Sequence, residues 1–207
     1  LPDGIRFSLY SPDGEGGFPG NIRVITDYRF NEDNELSVRH YAETDCATYI
    51  NMTNHAYFNL CGKGKKITEH RLHIPADRIL DTTPAFIPTG KRMNVKNTPF
   101  DFTSLKPIGT DLYADHEQLL WNKGYNHCYI LKDEISVEML EAASLYEPVT
   151  GRNMTVMTDL PAVLLYTAGY YERPDTAVCL ETQFYPDTPS HSDFPSCLVL
   201  PEKAYEH

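Results

Sequence analysis

Prolines and glycines interrupt this chain so often that no long helix fits between them. Fifteen prolines and 12 glycines are spread through 207 residues. A proline inside a helix removes a hydrogen bond and clashes with the preceding turn, and a glycine loses the most backbone freedom on ordering. What remains is a series of short runs, many of them alternating. Ile22, Val24, Tyr28 and Phe30 share one face of an extended segment, with Arg23, Asp27 and Arg29 on the other. Asn31-Glu32-Asp33-Asn34 supplies a polar turn, after which Leu36 and Val38 resume the alternation opposite Ser37 and Arg39. That is a hairpin pattern. Comparable runs occupy residues 49–53, 71–75, 127–131, 153–158, 163–167 and 177–182. Turn chemistry falls at Pro12-Asp13-Gly14, Pro148-Val149-Thr150-Gly151 and Tyr185-Pro186-Asp187. The expected fold is all-β, an antiparallel sandwich or barrel. With no repeat, low-complexity tract or linker, residues 1–207 read as one domain.

Two segments read differently. Residues 115–123 fit a short helix capped by Asp115 and stopped by Gly124. Residues 134–146 are rich in helix formers, and propensity alone makes them helical.

Charge narrows the partners. Lys and Arg total 18 against 29 Asp and Glu, a formal net charge of -11. Nucleic acid needs a basic footprint and anionic membranes attract one, so neither is an expected partner. No apolar run approaches the length that spans a bilayer. The five cysteines are scattered and form no CxxC pair, so reduced cytoplasmic thiols are expected rather than a disulfide framework or a zinc site. The chain opens on Leu1 rather than Met, and residues ahead of it are expected.

The motifs exclude several chemistries. Eight histidines invite a metal, but there is no H-E-x-x-H or H-x-H pair. His70 and His73, three apart in an extended run, point to opposite faces, so no protein-bound metal is expected. A G-x-S-x-G elbow is missing, which removes the usual serine hydrolase. Gly14-Glu15-Gly16-Gly17 lacks phosphate-loop spacing and reads as a wide turn. Two polar segments stand out instead. One is Asn51-Met52-Thr53-Asn54-His55-Ala56-Tyr57-Phe58-Asn59-Leu60, amides and aromatics around a histidine. The other is Cys179-Leu180-Glu181-Thr182-Gln183, where a carboxylate interrupts an apolar strand. A buried carboxylate is costly unless hydrogen-bonded or functional. Taken singly, a structurally satisfied histidine and an outward-facing glutamate are the simpler readings.

Together the two segments resemble those that carry the acid histidine and the base glutamate of the aldose 1-epimerase family. Ser11-Pro12-Asp13-Gly14-Glu15-Gly16-Gly17-Phe18-Pro19-Gly20, Ile87-Pro88-Thr89-Gly90, Thr98-Pro99-Phe100-Asp101, Pro186-Asp187, Phe194-Pro195 and Tyr205-Glu206-His207 match as well, all in family order. The resemblance implies a large antiparallel β-sandwich that holds a free aldose on a concave sheet face. It implies His55 as general acid and Glu181 as general base, with Asn54, Tyr57, Asn126 and Leu164 at sugar-contact positions and no cofactor. It also implies strands at residues 142–147 and 153–158, joined by the turn at 148–152, against the helical propensity.

The match departs from the family in three places. The family carries a further N-terminal stretch with a second histidine, in an HGG-like motif, and a sugar-contacting arginine, so an N-terminal segment or a second chain is expected to complete the fold. Asn126 stands where an aspartate is usual, and Leu164 where a glutamine is usual, which loosens the expected hexose specificity. The stretch between Thr167 and Val178 is short. Two alternatives follow. One is a sugar-binding or regulatory protein without turnover. The other is an epimerase of hexose phosphates, for which Arg71, Arg78 and Arg92 are the available cations.

Overall fold

The computed structural model describes residues 3–62, 64–135 and 138–207. In chain order the first strands are β1 (Gly4–Ser11), β2 (Ile22–Phe30), β3 (Leu36–Thr44) and β4 (Thr48–Tyr49). Next come β5 (Arg71–His73), β6 (Arg78–Thr82), β7 (Pro88–Asn94), β8 (Lys106–Pro107), the helix α1 (Glu117–Asn122) and β9 (Asn126–Ile130). The remainder are β10 (Leu140–Tyr146), β11 (Asn153–Thr158), β12 (Ala162–Tyr166), β13 (Cys179–Gln183), β14 (Leu198–Val199) and β15 (Tyr205–Glu206). All strand pairs are antiparallel. The chain divides into two compact units, Leu1–Met52 with Ser196–His207, and Thr53–Pro195.

The first unit is built on a sheet ordered β1-β2-β3-β15, beside the small pair β14-β4. The expected hairpin is β2–β3, with Phe30 opposite Leu36 and Tyr28 opposite Val38. Asn31 closes its turn, since its side-chain oxygen accepts the N–H groups of Asp33 and Glu35. Asn34 takes the left-handed conformation that asparagine tolerates. Ala42 and Tyr205, opposite one another, are buried. At the other edge, Ile5, Phe7 and Leu9 of β1 share one face and are exposed.

The second unit is a sandwich of a sheet ordered β13-β12-β9-β6-β7 and a sheet ordered β11-β10-β5-β8. Side chains from both meet in one core: Tyr129, Val163, Leu165 and Leu180 from the first, Leu72, Ala143 and Leu145 from the second. Two antiparallel sheets packed face to face have that arrangement. The helix-forming composition of residues 134–146 yields to strand β10, because Ala142, Ala143 and Leu145 are wholly buried in this core. A register shift between Glu141 and Ala143 lets adjacent alanines both turn inward. Ser136 and Val137 lie outside the described residues.

The remaining expectations need adjustment at their edges. The helix α1 is capped by His116 rather than Asp115, for the imidazole Nδ1 accepts the Gln118 N–H at 3.3 Å. Lys123 ends it in the left-handed region, and Gly124 follows. Residues 49–53 form no strand beyond Tyr49. Gly14, Gly16 and Gly17 build a 3-10 turn with positive φ angles, as a wide turn requires. Among the described residues no helix is long and apolar enough to cross a membrane.

Candidate active site

The site belongs to the second unit, where the polar loop around His55 meets strand β13. The join is made by backbone. Phe58 and Val178 exchange both hydrogen bonds, N–H to carbonyl at 2.8 and 2.9 Å, which lays the loop against the start of β13. The Asn59 side-chain amide donates to the carbonyls of Lys65 at 2.7 Å and Thr176 at 2.8 Å. Leu60 donates its N–H to His70 Nε2 at 3.0 Å, and its carbonyl accepts from Arg152 at 2.8 Å. Burial holds the His70 pKa below the ordinary histidine value, which favours the neutral ring able to accept that bond. The Asn59 amide is therefore an anchor, and His55 is carried on a loop tied at several points.

Glu181 owes its place to alternation. Leu180 enters the core, so Cys179 and Glu181 point to the opposite face of the sheet. On that face the register sets Leu164 opposite both Glu181 and Cys128, and Tyr166 opposite both Cys179 and Asn126. Glu181 is only 6% exposed. Burial raises its carboxyl pKa above the usual value, and the nearby His55 opposes the shift. The His55 ring is half exposed and brings Nε2 to 3.4 Å from Glu181 Oε1. It stacks on Tyr57 at 5.1 Å between centroids and meets Tyr166 edge-on at 6.2 Å. Tyr171 extends this aromatic group, its ring tilted against Tyr57 at 5.2 Å.

Asn54, Tyr57, Asn126 and Leu164 are the residues expected at the sugar. Asn54 and Tyr57 flank His55 on the loop, Leu164 is directly opposite Glu181, and Asn126 is two strands away in the neighbouring row. Gly124 sets the start of β9: a side chain there would lie 2.6 Å from the Thr167 hydroxyl, which accepts the Tyr125 N–H at 3.0 Å. Three neighbours had no assigned role in the sequence reading: Tyr166, Tyr171 and Cys179. Cys179 carried a usable signal, since residue i−2 of a strand shares the face of residue i. Tyr166 carried the same signal, being two residues from Leu164 in the expected strand, whereas Tyr171, in the loop beyond β12, carried none. Burial pushes the Cys179 thiol pKa up to about 12. His55, Cys179 and Glu181 offer donor atoms within 4.8 Å of one another, a grouping able to hold a metal ion. His70 and His73 do not converge; His73 pairs instead with Glu141 at 3.3 Å. A hollow of about 360 Å³ bordered by Leu112, Tyr113, Leu119, Lys123 and Asp175 shares none of the site residues.

An exposed histidine touching a buried carboxylate can deliver a proton and accept one from two atoms that lie close together, on a surface lined with aromatic rings. Comparison with known proteins places this arrangement in context. A family model described as aldose 1-epimerase matches residues 2–207. The chain is 35% identical over 221 residues to galactose mutarotase of Bos taurus, and 32% identical over 213 residues to aldose 1-epimerase of Escherichia coli K12. These matches take in 100% and 97% of this chain but 62% and 61% of the relatives, so the chain spans less than two thirds of their length. Among solved structures, an aldose epimerase homologue from C. elegans superposes over the whole chain and 64% of its own, with a TM-score of 0.86 at 25% identity. Galactose 1-epimerase from Lactobacillus acidophilus superposes over 97% of this chain and 59% of its own, with a TM-score of 0.84 at 27% identity.

Proposed function

This chain belongs to the aldose 1-epimerase family, and from that premise we propose that it interconverts the α and β anomers of a free aldose, with His55 as general acid and Glu181 as general base. Mutarotation opens a pyranose ring, lets the C1–C2 bond turn, and closes the ring on the other face of the aldehyde. Opening needs a proton delivered to the ring oxygen and another removed from the C1 hydroxyl; closure reverses both. These two oxygens are bonded to the same carbon, so acid and base must stand close together. The observation that carries the reading is the 3.4 Å approach of His55 Nε2 to Glu181 Oε1. Burial supports the division of roles. A carboxylate whose pKa is raised is a stronger base, and imidazole supplies an acid near neutrality. The reaction transfers protons only and calls for no cofactor.

The substitutions at Asn126 and Leu164 bear on specificity. A leucine facing Glu181 offers a sugar hydroxyl no side-chain hydrogen bond, and a neutral amide binds one less strongly than a carboxylate. Broad, weak hexose recognition is the consequence. A phosphorylated substrate is less well supported, because Arg78 and Arg92 are engaged by Asp133 and Asp193, at 2.8 and 2.7 Å. The exposed row of Ile5, Phe7 and Leu9 supports a covering N-terminal segment or second chain over the first unit's sheet.

Polarimetry with anomerically pure glucose and galactose tests the activity. The rate is expected to rise with pH as Glu181 ionises, along a limb displaced above the ordinary carboxylate range. Sugar binding without rotation change would leave the non-catalytic alternative standing. A rate that is flat across the neutral range would assign the chemistry to other groups.

A further inference from the structure

A ring nitrogen of His55, Cys179 Sγ and a Glu181 oxygen come within 4.8 Å of one another, although no local spacing in the sequence announces a metal site. Imidazole, thiolate and carboxylate together are a donor set suited to borderline divalent ions of the Zn²⁺ type. Ligand atoms held about 2.0–2.3 Å from a tetrahedral ion stand roughly 3.3–3.8 Å from each other. Nε2 and Oε1 already have that spacing, at 3.4 Å. The Cys179 sulfur has to close by at most about 1.5 Å, within reach of a side-chain rotation. Two anionic ligands would cancel the ion's charge, which suits a pocket where Cys179 and Glu181 are both buried. The half-exposed imidazole leaves an approach from solvent, from which a water would complete the fourth position.

We propose that His55, Cys179 and Glu181 form an inhibitory site for a thiophilic divalent cation of the Zn²⁺ type. As the sulfur–metal bond forms, the Cys179 thiol releases its proton to solvent; His55 binds as neutral imidazole, and no group changes oxidation state. The inhibitory sense rests on the acid–base reading above: an ion on His55 and Glu181 occupies the lone pairs that move protons.

Chelator-treated protein titrated with Co²⁺ tests the site independently of activity. The expected result is one equivalent bound, with a thiolate-to-cobalt charge-transfer band that Zn²⁺ abolishes. The polarimetric rate falls in proportion to Zn²⁺ occupancy and returns with chelator. Cys179→Ser weakens Zn²⁺ binding at least about tenfold, while its metal-free rate stays within about twofold. If near-ultraviolet circular dichroism shows that variant unfolded, His55→Gln, on an accessible loop, is expected to weaken binding equally. Cobalt bound without a thiolate band, or unchanged Zn²⁺ affinity in the folded variant, overturns the site. A rate that increases with Zn²⁺ overturns the inhibition. Should the metal-free protein lack mutarotation altogether, the functional reading fails, and the cobalt spectrum still decides the site.

Discussion

Leu165 of β12 is completely buried, whereas Leu9 of β1, at the same kind of alternating position in an antiparallel strand, is 62% exposed. Phe7 and Ile5 beside Leu9 are 58% and 60% exposed. In the second unit, a facing sheet supplies Leu72 and Leu145 to cover Leu165, and the core face is sealed. The opposite face of that sheet is then free for Glu181, Cys179 and Tyr166. Among the described residues, the β1 end of the first unit's sheet has no such cover. Alternation sorts side chains into faces; burial depends on what lies above each face.

The strongest test of this contrast is catalytic. His55→Ala and Glu181→Gln should each lower turnover by roughly two to four powers of ten, with sugar affinity nearly kept. Near-normal mutarotation in either variant would refute the pair. A comparable loss from Phe7→Ser would show that the first unit's exposed row also serves the chemistry.

Stability measures the same contrast directly. Leu165→Ala should cost about 2–5 kcal/mol, through lost burial and the cavity left behind. Leu9→Ala should cost under about 1 kcal/mol, since little of its surface leaves water on folding. Urea unfolding of both variants checks this. Equal costs would mean that Leu9 is covered in the native protein, by an N-terminal segment or a second chain.

The two hairpin turns differ in the chemistry that closes them, and pH should separate them. Asn31 closes the first unit's turn with an amide oxygen. In the second unit, Glu147 accepts the N–H groups of Val149 and Thr150 at 3.0 and 2.7 Å. Its carboxyl pKa is held down at about 2, first by hydrogen bonding to Thr150 and then by the backbone donors and His70. A depressed carboxylate pKa stabilises the fold above the unfolded value. That contribution is lost as pH falls from the ordinary 4.5 towards about 2. Glu147→Gln should therefore flatten the acid limb of a stability–pH curve, and an unaltered limb would remove this turn as a source of acid sensitivity.

The smallest effect expected is at Leu164. Leu164→Gln, which restores a hydrogen-bonding group opposite Glu181, should tighten hexose binding several-fold, as isothermal titration would show. Strong galactose selectivity in the unmodified protein would contradict the reading of this position.

Much of the fold was legible because strands and breaks are local. Residues 153–158 form β11 as expected, and β2–β3 pair as their alternation requires. Local propensity and local caps mislead where a distant competitor or a local substitute exists; the strand expected over residues 142–147, against helix propensity, is met by β10. Residues 134–146 carry helix propensity, but Ala142, Ala143 and Leu145 are claimed by a core built from other segments. The α1 cap passed from Asp115 to His116 because an imidazole nitrogen can accept the same bond as a carboxylate. At the site, His55 and Glu181 were visible through the segments that carry them. Cys179 as a neighbour of His55 was not, because the Phe58–Val178 pairing that unites them joins residues far apart in the chain.

The sequence by itself determined where strands could form, which residues would share a face, and which two polar segments were out of character with their surroundings. These follow from proline and glycine placement and from the period-two geometry of an extended backbone, both local properties. Tertiary structure alone decided that Leu165 is sealed while Leu9 is open, and that Leu164 and Cys179 border His55 and Glu181. Strand register and the covering of a sheet arise from contacts between distant segments, and a side chain's own neighbours in the chain do not encode them.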